Sequence, residues 1–472
     1  MKYKCYDKKE NFEKRVQERL KGIDLKNELD IDFNSTTFPN RSFSVPKFSS
    51  QHCEILINSD INDDIKEIIR EICMEYSDDE MQAIINDMPI VNWYAQDNKE
   101  TLKGVSIIWR DHFLEENIGL LNAFVTMGVN PNDILALDKG DQTQHRFEIR
   151  ETFKKMGFHV EVLDNKTVMN DENNEIELNK IKLFIESRRD KKMIVIDDGA
   201  ILSKIVNNRV YPNIKAVIEL TEMGLRRINK FSNQLLYPVL NVAKTTLKRK
   251  IIYPEIANSI FTRIIQLLGG EKIVGRTILL CGYGDMGEII AERFRSFGIK
   301  IIIYDSDVMK LIIAGEKGFN TYRNSVNAVK KEKPFLVIGS SGYKSITDEL
   351  IKHLPDNSYV TAGATADLSV FVEYENTNKA IVNKISNYGT QYYIYDKHIS
   401  VLGNGRSVNL FNSESIPNKS NDIFKAAIVV AVNKAINENI ELKNQVNLNI
   451  VEDWILESKI LDVYYDMYLN KE

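Results

Sequence analysis

Cysteine is scarce in this chain: four residues in 472, Cys5, Cys53, Cys73 and Cys281, with no CxxC pair and no Cys/His cluster at zinc-ligand spacing. That excludes a disulfide framework and a structural zinc site as organising devices, and no metal centre is expected. Free thiols at this density fit a reducing cytoplasm. There is no apolar run approaching the ~20 residues that span a bilayer, and the start, MKYKCYDKKENFEKR, has no apolar signal core. A basic surplus is missing too. The formal net charge is −5, and the densest basic run, KTTLKRK, is short, which argues against a general nucleic-acid binder. A cytoplasmic chain that binds neither membrane nor nucleic acid is expected.

What is present is ordinary globular composition, 43% hydrophobic and 27% charged, in a chain long enough for two or three domains. Near the N-terminus, INDDIKEIIREICMEY carries Ile65, Ile68, Ile69 and Ile72 at helical spacing. The segment 1–85 is therefore expected to be a helical N-terminal extension. From Leu102 to about Leu240, the strand candidates GVSIIW, DILALD, FHVEVLD and KKMIVIDD alternate with amphipathic stretches such as 114–127 and 144–156. This alternation implies a parallel sheet covered on both faces, with ligand groups at the carboxyl ends of its strands. A second such region follows the helix candidate 255–268, and a further helix candidate spans 420–436. The fold class expected is α/β, with two doubly wound parallel-sheet domains. A Rossmann domain, 255–409, would be inserted into a substrate-type domain formed by 86–254 and 410–472.

The most specific local motif is Gly282-Tyr283-Gly284-Asp285-Met286-Gly287, placed between the strand candidate TILLC and the helix candidate EIIAERFRSFG. The first glycine permits the tight turn, the second the close approach of a pyrophosphate, and the third close helix–strand packing. Asp305 ends the next strand candidate, KIIIYD, ~20 residues further on, where an acid holds the ribose hydroxyls and repels a 2′-phosphate. NAD is the cofactor expected. Gly339 and Ser340, after FLVIG, are either a plain turn or part of the cofactor groove.

The stretch GRTILLCGYGDMGEIIAERFRSFGIKIIIYDSD resembles the NAD-binding segment of the S-adenosylhomocysteine hydrolase family. LKGVSIIWRDHFLEEN, MIVIDDGA, IELTEMGLRRI, LNVAKTTLKRK and VLGNGRSVNLFN are similar to further segments of that family, in the family's order, over roughly residues 87–435. The resemblance implies a bound, recycled NAD that oxidises a ribose hydroxyl of a nucleoside or thioether substrate in a homo-oligomeric enzyme. It implies catalytic roles for Lys248, Asp198 and His112, an adenine contact at Glu116, and cofactor contacts at Thr221, Asp367 and Asn409. Taken without it, His112 is an ordinary strand-end histidine, Asp198 a turn residue and Lys248 part of a solvated basic face. The chain also departs from the family. Leu220 replaces a ribose-binding glutamate, and Ile252 and Tyr253 an Asp-Asn pair. Thr365 replaces a second catalytic histidine, and Leu114 an adenine-contacting threonine. The expectation is a weak or absent adenosylhomocysteinase. Its alternatives are an NAD-dependent oxidoreductase or lyase on another hydroxylated substrate, or a non-catalytic NAD-binding regulator.

Overall fold

The computed structural model describes residues 2–20, 31–37, 41–42, 51–57, 61–164, 175–385, 387–438 and 442–470. The chain divides into two compact units, one of Met1–Gly140, His145–Thr245 and Pro417–Glu472, the other of Asp141–Gln144 and Thr246–Ile416.

The first unit is built on a parallel sheet of β1 (Val105–Asp111), β2 (Ile134–Asp138), β3 (His159–Val162), β4 (Lys192–Asp197), β5 (Ile214–Glu219) and β6 (Val239–Asn241). Its order is β6-β5-β4-β1-β2-β3, with the short strand Val446–Asn447 beside β6. β1, β2 and β4 are near-continuous apolar runs because helices cover both faces of the sheet. Ile108, Leu135, Leu137, Val195 and Val217 share one core cluster with Ile201, Leu202 and Val206 of a covering helix. The helix Asn418–Asn437 is buried along most of its length, including Asp422 and Lys425, as expected for a helix inside a large core rather than on its surface. Because the order reverses at β1, the carboxyl ends of β1 and β4 flank the crevice where a sheet of this kind takes its ligand.

The N-terminal extension carries, beside its helices, a sheet that the periodicity did not disclose. Strands Lys2–Cys5, Ile31–Thr37 and Gln51–Ile57 pair antiparallel, with Gln51–Ile57 in the centre. Cys5, Phe12, Val16, Ile55, Ile69 and Ile72 form its core. Arg41 ties the extension to the helix Asp78–Asn86. Its guanidinium lies 4.6 Å from the Tyr6 ring centre and 4.1 Å from that of Tyr76, and donates to both carboxylate oxygens of Glu80.

The second unit is a mixed sheet. β7 (Thr277–Cys281), β8 (Lys300–Tyr304), β9 (Asn320–Tyr322), β10 (Leu336–Gly339) and β11 (Ser358–Ala362) run parallel in the order β9-β8-β7-β10-β11. Strand Lys397–Leu402 continues the parallel part, and Gly389–Ile394 and Ile381–Ile385 complete an antiparallel edge. Side chains of β7 alternate between two cores: Ile278 and Leu280 pack with Ile260, Ile264 and Ile290, whereas Leu279 and Cys281 pack with Ile302, Val337 and Val360. Among the described residues no helix is long and apolar enough to cross a membrane.

Candidate functional site

In the second unit the strand register aligns Cys281 with Tyr304 and with Gly339, and Gly339 with Ala362. Gly282, Asp305, Ser340 and Gly363 therefore lie in a row at the strand ends. Gly282 has φ +112°, and a Cβ there would lie 2.6 Å from the Ser341 nitrogen. A Cβ on Gly287 would lie 2.1 Å from the Gly282 carbonyl oxygen, so close packing of the helix Asp285–Ser296 requires glycine there. A Cβ on Gly284 would meet nothing within 4 Å. That open position at a helix N-terminus is where a pyrophosphate fits, stabilised by free N–H groups and the helix dipole. The Ser340 hydroxyl is buried without a hydrogen-bond partner and lies 3.4 Å from the missing Gly287 Cβ. It supplies a donor for a phosphate or ribose oxygen. Asp305 accepts from the backbone nitrogens of Tyr283 (2.7 Å) and Asp307 (2.9 Å), which fixes the carboxylate beside the turn. Lys310 lies 3.8 Å from it. These residues fit a dinucleotide.

The other cofactor candidates of this unit act on the protein itself. Asp367 accepts from the Ser341 nitrogen (3.1 Å), the Ser341 hydroxyl (2.6 Å), the Gly342 nitrogen (3.0 Å) and the Ser345 hydroxyl. Burial pushes its carboxyl upward, against those four donors. It thereby shapes the loop after β10, and Gly339 is glycine because a Cβ would lie 2.4 Å from the Asp367 Cβ. Asn409 accepts from Ser407 and donates to Ser415, each at 2.7 Å. Met286 packs against the core, and Asp285 pairs with Arg249 at 2.5 Å. Lys248 opens a π-helical turn, Lys248–Ile252, which runs into the helix Tyr253–Leu268. Such turns recur at functional sites because they aim side chains away from the α-helical repeat.

In the first unit the register pairs Asp111 with Asp138, Arg110 with Asp197, and Asp197 with Glu219. Residues that follow these strands consequently sit side by side, about 4.8 Å apart per strand: Lys139, His112, Asp198, Leu220. His112 and Asp198 are thus brought together, with 3.8 Å between Nε2 and Oδ2. A residue outside the motifs joins them. Lys139 Nζ lies 2.6 Å from Asp198 Oδ1 and 3.2 Å from His112 Nε2. Burial acts to raise the Asp198 carboxyl. The Lys139 ammonium, His112 and Arg110 outweigh it and hold the group well below the usual carboxylate range. Ligand atoms of Asp111, His112 and Asp198 lie within 4.8 Å of one another. Positive charge is supplied there by Lys139 beside Asp198 and by Lys425 beside Asp111.

The loop bearing Asp198 is clamped from below. Arg110 Nη1 donates to the Asp198 carbonyl (2.8 Å), and Arg227 to that of Gly199 (2.6 Å). Gly199 (φ +99°) and Ala200 (φ +59°) turn their N–H groups onto the Glu219 carboxylate, at 3.1 and 2.9 Å. Glu219 also accepts from the Thr221 nitrogen (2.8 Å) and hydroxyl (2.7 Å). Burial, with the Asp197 and Asp198 carboxylates alongside, pushes Glu219 well above its ordinary value. The Thr221 hydroxyl additionally caps its helix through the Gly224 nitrogen at 3.0 Å. Local capping is thus the role this structure displays for Thr221.

Glu116 is buried, and Lys425 Nζ is 3.6 Å from its Oε1, which also accepts from Asn421 at 2.9 Å. Lys425 bonds Asn117 (2.6 Å) and Asp111 (3.3 Å) as well. Burial raises the Glu116 carboxyl and Lys425 opposes the rise. Glu116 Oε2 and Asn421 Oδ1, on these two touching groups, are buried acceptors without a partner. Leu220, Ile252 and Leu114 are buried, and Thr365 is exposed.

The parallel order around β7, its glycine turn and the acid ending β8 define a dinucleotide-binding domain. Residues 262–415 match the family model described as S-adenosyl-L-homocysteine hydrolase, NAD binding domain. An adenosylhomocysteinase of Aeropyrum pernix is 23% identical over 262 residues, 54% of this chain and 62% of that relative's length. The chain is thus similar to the S-adenosylhomocysteine hydrolase family, through that family's NAD-binding domain, and NAD is its cofactor. Solved structures with some likeness include a dipicolinate synthase of Bacillus halodurans, at 13% identity and TM-score 0.37. That match covers 71% of this chain and 99% of the other. Another is the NADPH-dependent glyoxylate/hydroxypyruvate reductase of Sinorhizobium meliloti, at 13% identity and TM-score 0.38. It covers 73% and 99% of the two chains. At these scores neither bears on function.

Proposed function

We propose that this protein is an NAD-dependent enzyme of the S-adenosylhomocysteine hydrolase type, acting on a nucleoside or thioether substrate, with weak or no release of homocysteine from the family's own substrate. The observation that carries this reading is a split among the site residues. Glu116 Oε2 and Asn421 Oδ1 are buried acceptors awaiting donors, which suits an exocyclic amine on a base. Leu220 and Ile252 are buried and apolar where the family holds ribose hydroxyls. Each hydroxyl left without its partner costs ~1–3 kcal/mol, and ~1.4 kcal/mol is a factor of ten in rate. Two or three such losses lower turnover by orders of magnitude unless other contacts replace them.

Bound NAD supplies the hydride acceptor. The chain's own groups do the rest. Lys248 would assist removal of the hydroxyl proton, Asp198 and His112 would handle protons at the neighbouring carbon and leaving group, and Glu116 would orient the base. Gly282, Gly284, Gly287, Ser340 and Asp305 would hold the dinucleotide, with Asp285, Met286, Gly339, Asp367 and Asn409 of the same unit around it. The setting proposed is cytoplasmic and homo-oligomeric.

The test is a coupled assay for homocysteine release by NAD-loaded protein, together with mass spectrometry of small molecules that co-purify. Family-like turnover refutes the reduced activity. A second reading, an NAD-dependent oxidoreductase or lyase on another hydroxylated compound, draws on the Lys139–Asp198 pair, which alters the acid–base group itself. Stoichiometric NADH release would select it, and NAD binding without turnover of any tested nucleoside would leave a regulator.

A further inference from the structure

Lys139 belongs to none of the matched motifs, yet it touches both acid–base candidates of the first unit. It follows β2 directly and is 6% exposed. Its ammonium has three hydrogens to donate and no lone pair. At 3.2 Å from His112 Nε2, that nitrogen must therefore present its lone pair, and the ring proton must sit on Nδ1. A doubly protonated ring would place two cations in contact. Lys139 also takes Asp198 Oδ1 at 2.6 Å, leaving Oδ2 at 3.8 Å from His112, beyond hydrogen-bond reach.

The other charged groups around this pair are engaged elsewhere. On β1, Asp111 Oδ1 accepts from the His112 backbone nitrogen at 2.7 Å, and its Oδ2 faces Lys425 of the helix Asn418–Asn437 at 3.3 Å. Glu116 faces the same Lys425. Arg110, also on β1, donates to the Asp198 carbonyl rather than to its carboxylate. On the β5 side Glu219 is committed to the backbone of residues 199–200 and 221.

We propose that Lys139 is a positioning residue that keeps His112 a neutral, Nδ1-protonated imidazole and holds Asp198 as an ionised carboxylate just beyond hydrogen-bond reach of the ring. Nε2 has a single lone pair, so a substrate hydroxyl entering this cluster must displace the Lys139 ammonium from it before the ring can accept a proton. The Asp198 charge, already matched by Lys139, does not compete for that proton. The functional consequence rests on the reading of His112 and Asp198 as catalytic groups; the protonation state does not. The experiment therefore reads the ring itself, so that a failed turnover assay and a failed Lys139 assignment are separable.

Full-length protein labelled with ¹⁵N-histidine is titrated by long-range ¹H–¹⁵N NMR, with His112 assigned by its loss in His112→Gln. The expected result is an Nδ1–H tautomer in the unsubstituted protein. In Lys139→Met the removed cation and the freed Asp198 both favour imidazolium, so the His112 midpoint rises by ~1–3 pH units. Lys139→Arg, which keeps the charge, stays near the starting midpoint. Should Lys139→Met fail to fold, Asp198→Asn tests the same pair from the other side: with the ammonium left unopposed, the His112 midpoint must fall. An Nε2–H tautomer in the unsubstituted protein, or a midpoint unmoved by these variants, overturns the assignment.

Discussion

Replacing Gly224 with alanine sets two known effects against each other. Gly224 lies in the helix Glu222–Ile228, and an ordinary helical glycine-to-alanine change stabilises by ~0.5–1 kcal/mol because it restricts the unfolded chain. Here the new Cβ would lie 2.1 Å from Glu219 Oε1, 2.2 Å from Cδ and 2.4 Å from Oε2. The end of a glutamate side chain would normally swing aside. This one is fully buried and accepts from Gly199, Ala200 and Thr221. Overpacking costs ~1–3 kcal/mol, and each buried donor left unpaired by the shift costs ~1–3 kcal/mol more. After subtracting the helix gain, Gly224→Ala should lose ~2–5 kcal/mol by these same terms. Amide exchange at Gly199 and Ala200 should accelerate as their acceptor moves. The control is Gly315→Ala, in the helix Val308–Glu316, where a Cβ meets nothing within 4 Å. It should be neutral or stabilising by up to ~1 kcal/mol. Urea unfolding of both variants decides the matter. If Gly224→Ala is as stable as the unsubstituted protein, the account of Glu219 as the clamp on the Asp198 loop is wrong.

Gly287→Ala should abolish NAD binding, because a Cβ 2.1 Å from the Gly282 oxygen forces the turn open; calorimetry with NAD checks this, and retained affinity refutes it. Asp305→Asn should weaken NAD binding and relax discrimination against NADP, since it removes the charge facing a 2′-phosphate; equal affinity of the unsubstituted protein for both cofactors would contradict that reading, with Lys310 at 3.8 Å as the counter-charge responsible. Asp198 has a lowered folded value, so its contribution to stability is complete above the unfolded value of ~3.9 and is lost as pH falls toward the folded one. The stability gap between the protein and its Asp198→Asn variant should accordingly narrow through that acid window, as followed by denaturant melts; a gap independent of pH is the adverse result.

The dinucleotide turn was legible in the sequence because its signal is local: TILLC, the glycines and Asp305 lie within one βαβ unit. The parallel sheets followed from apolar runs alternating with helical periods. Lys139 was not legible as a site residue, since its partners are 27 and 59 residues away and meet it only through the pairing of β1 with β2 and with β4. Its position immediately after ILALD, at the carboxyl end of a strand, was the available clue. Glu219 was obscured differently. Its carboxyl is spent on the N–H groups of Gly199, Ala200 and Thr221 and on the Thr221 hydroxyl, which no residue pattern advertises. The strands of the N-terminal extension escaped because Lys2–Cys5 is only 4 residues long, Ile31–Thr37 (IDFNSTT) ends in a polar run, and Gln51–Ile57 (QHCEILI) does not alternate.

The π-helical turn at Lys248–Ile252 has a consequence for how this segment tolerates change in length. An α-helix advances about 100° per residue, so an inserted or deleted residue normally rotates everything beyond it off its buried face. A π turn already holds one residue more than an α turn needs. Removing Arg249 or Lys250, both exposed, could relax the turn to α while Ala257, Ile260, Phe261 and Ile264 keep their places in the core. The same step would re-aim Lys248 by roughly a quarter-turn about the axis. One residue of slack here separates the phase of the lysine from the phase of the helix that carries the fold.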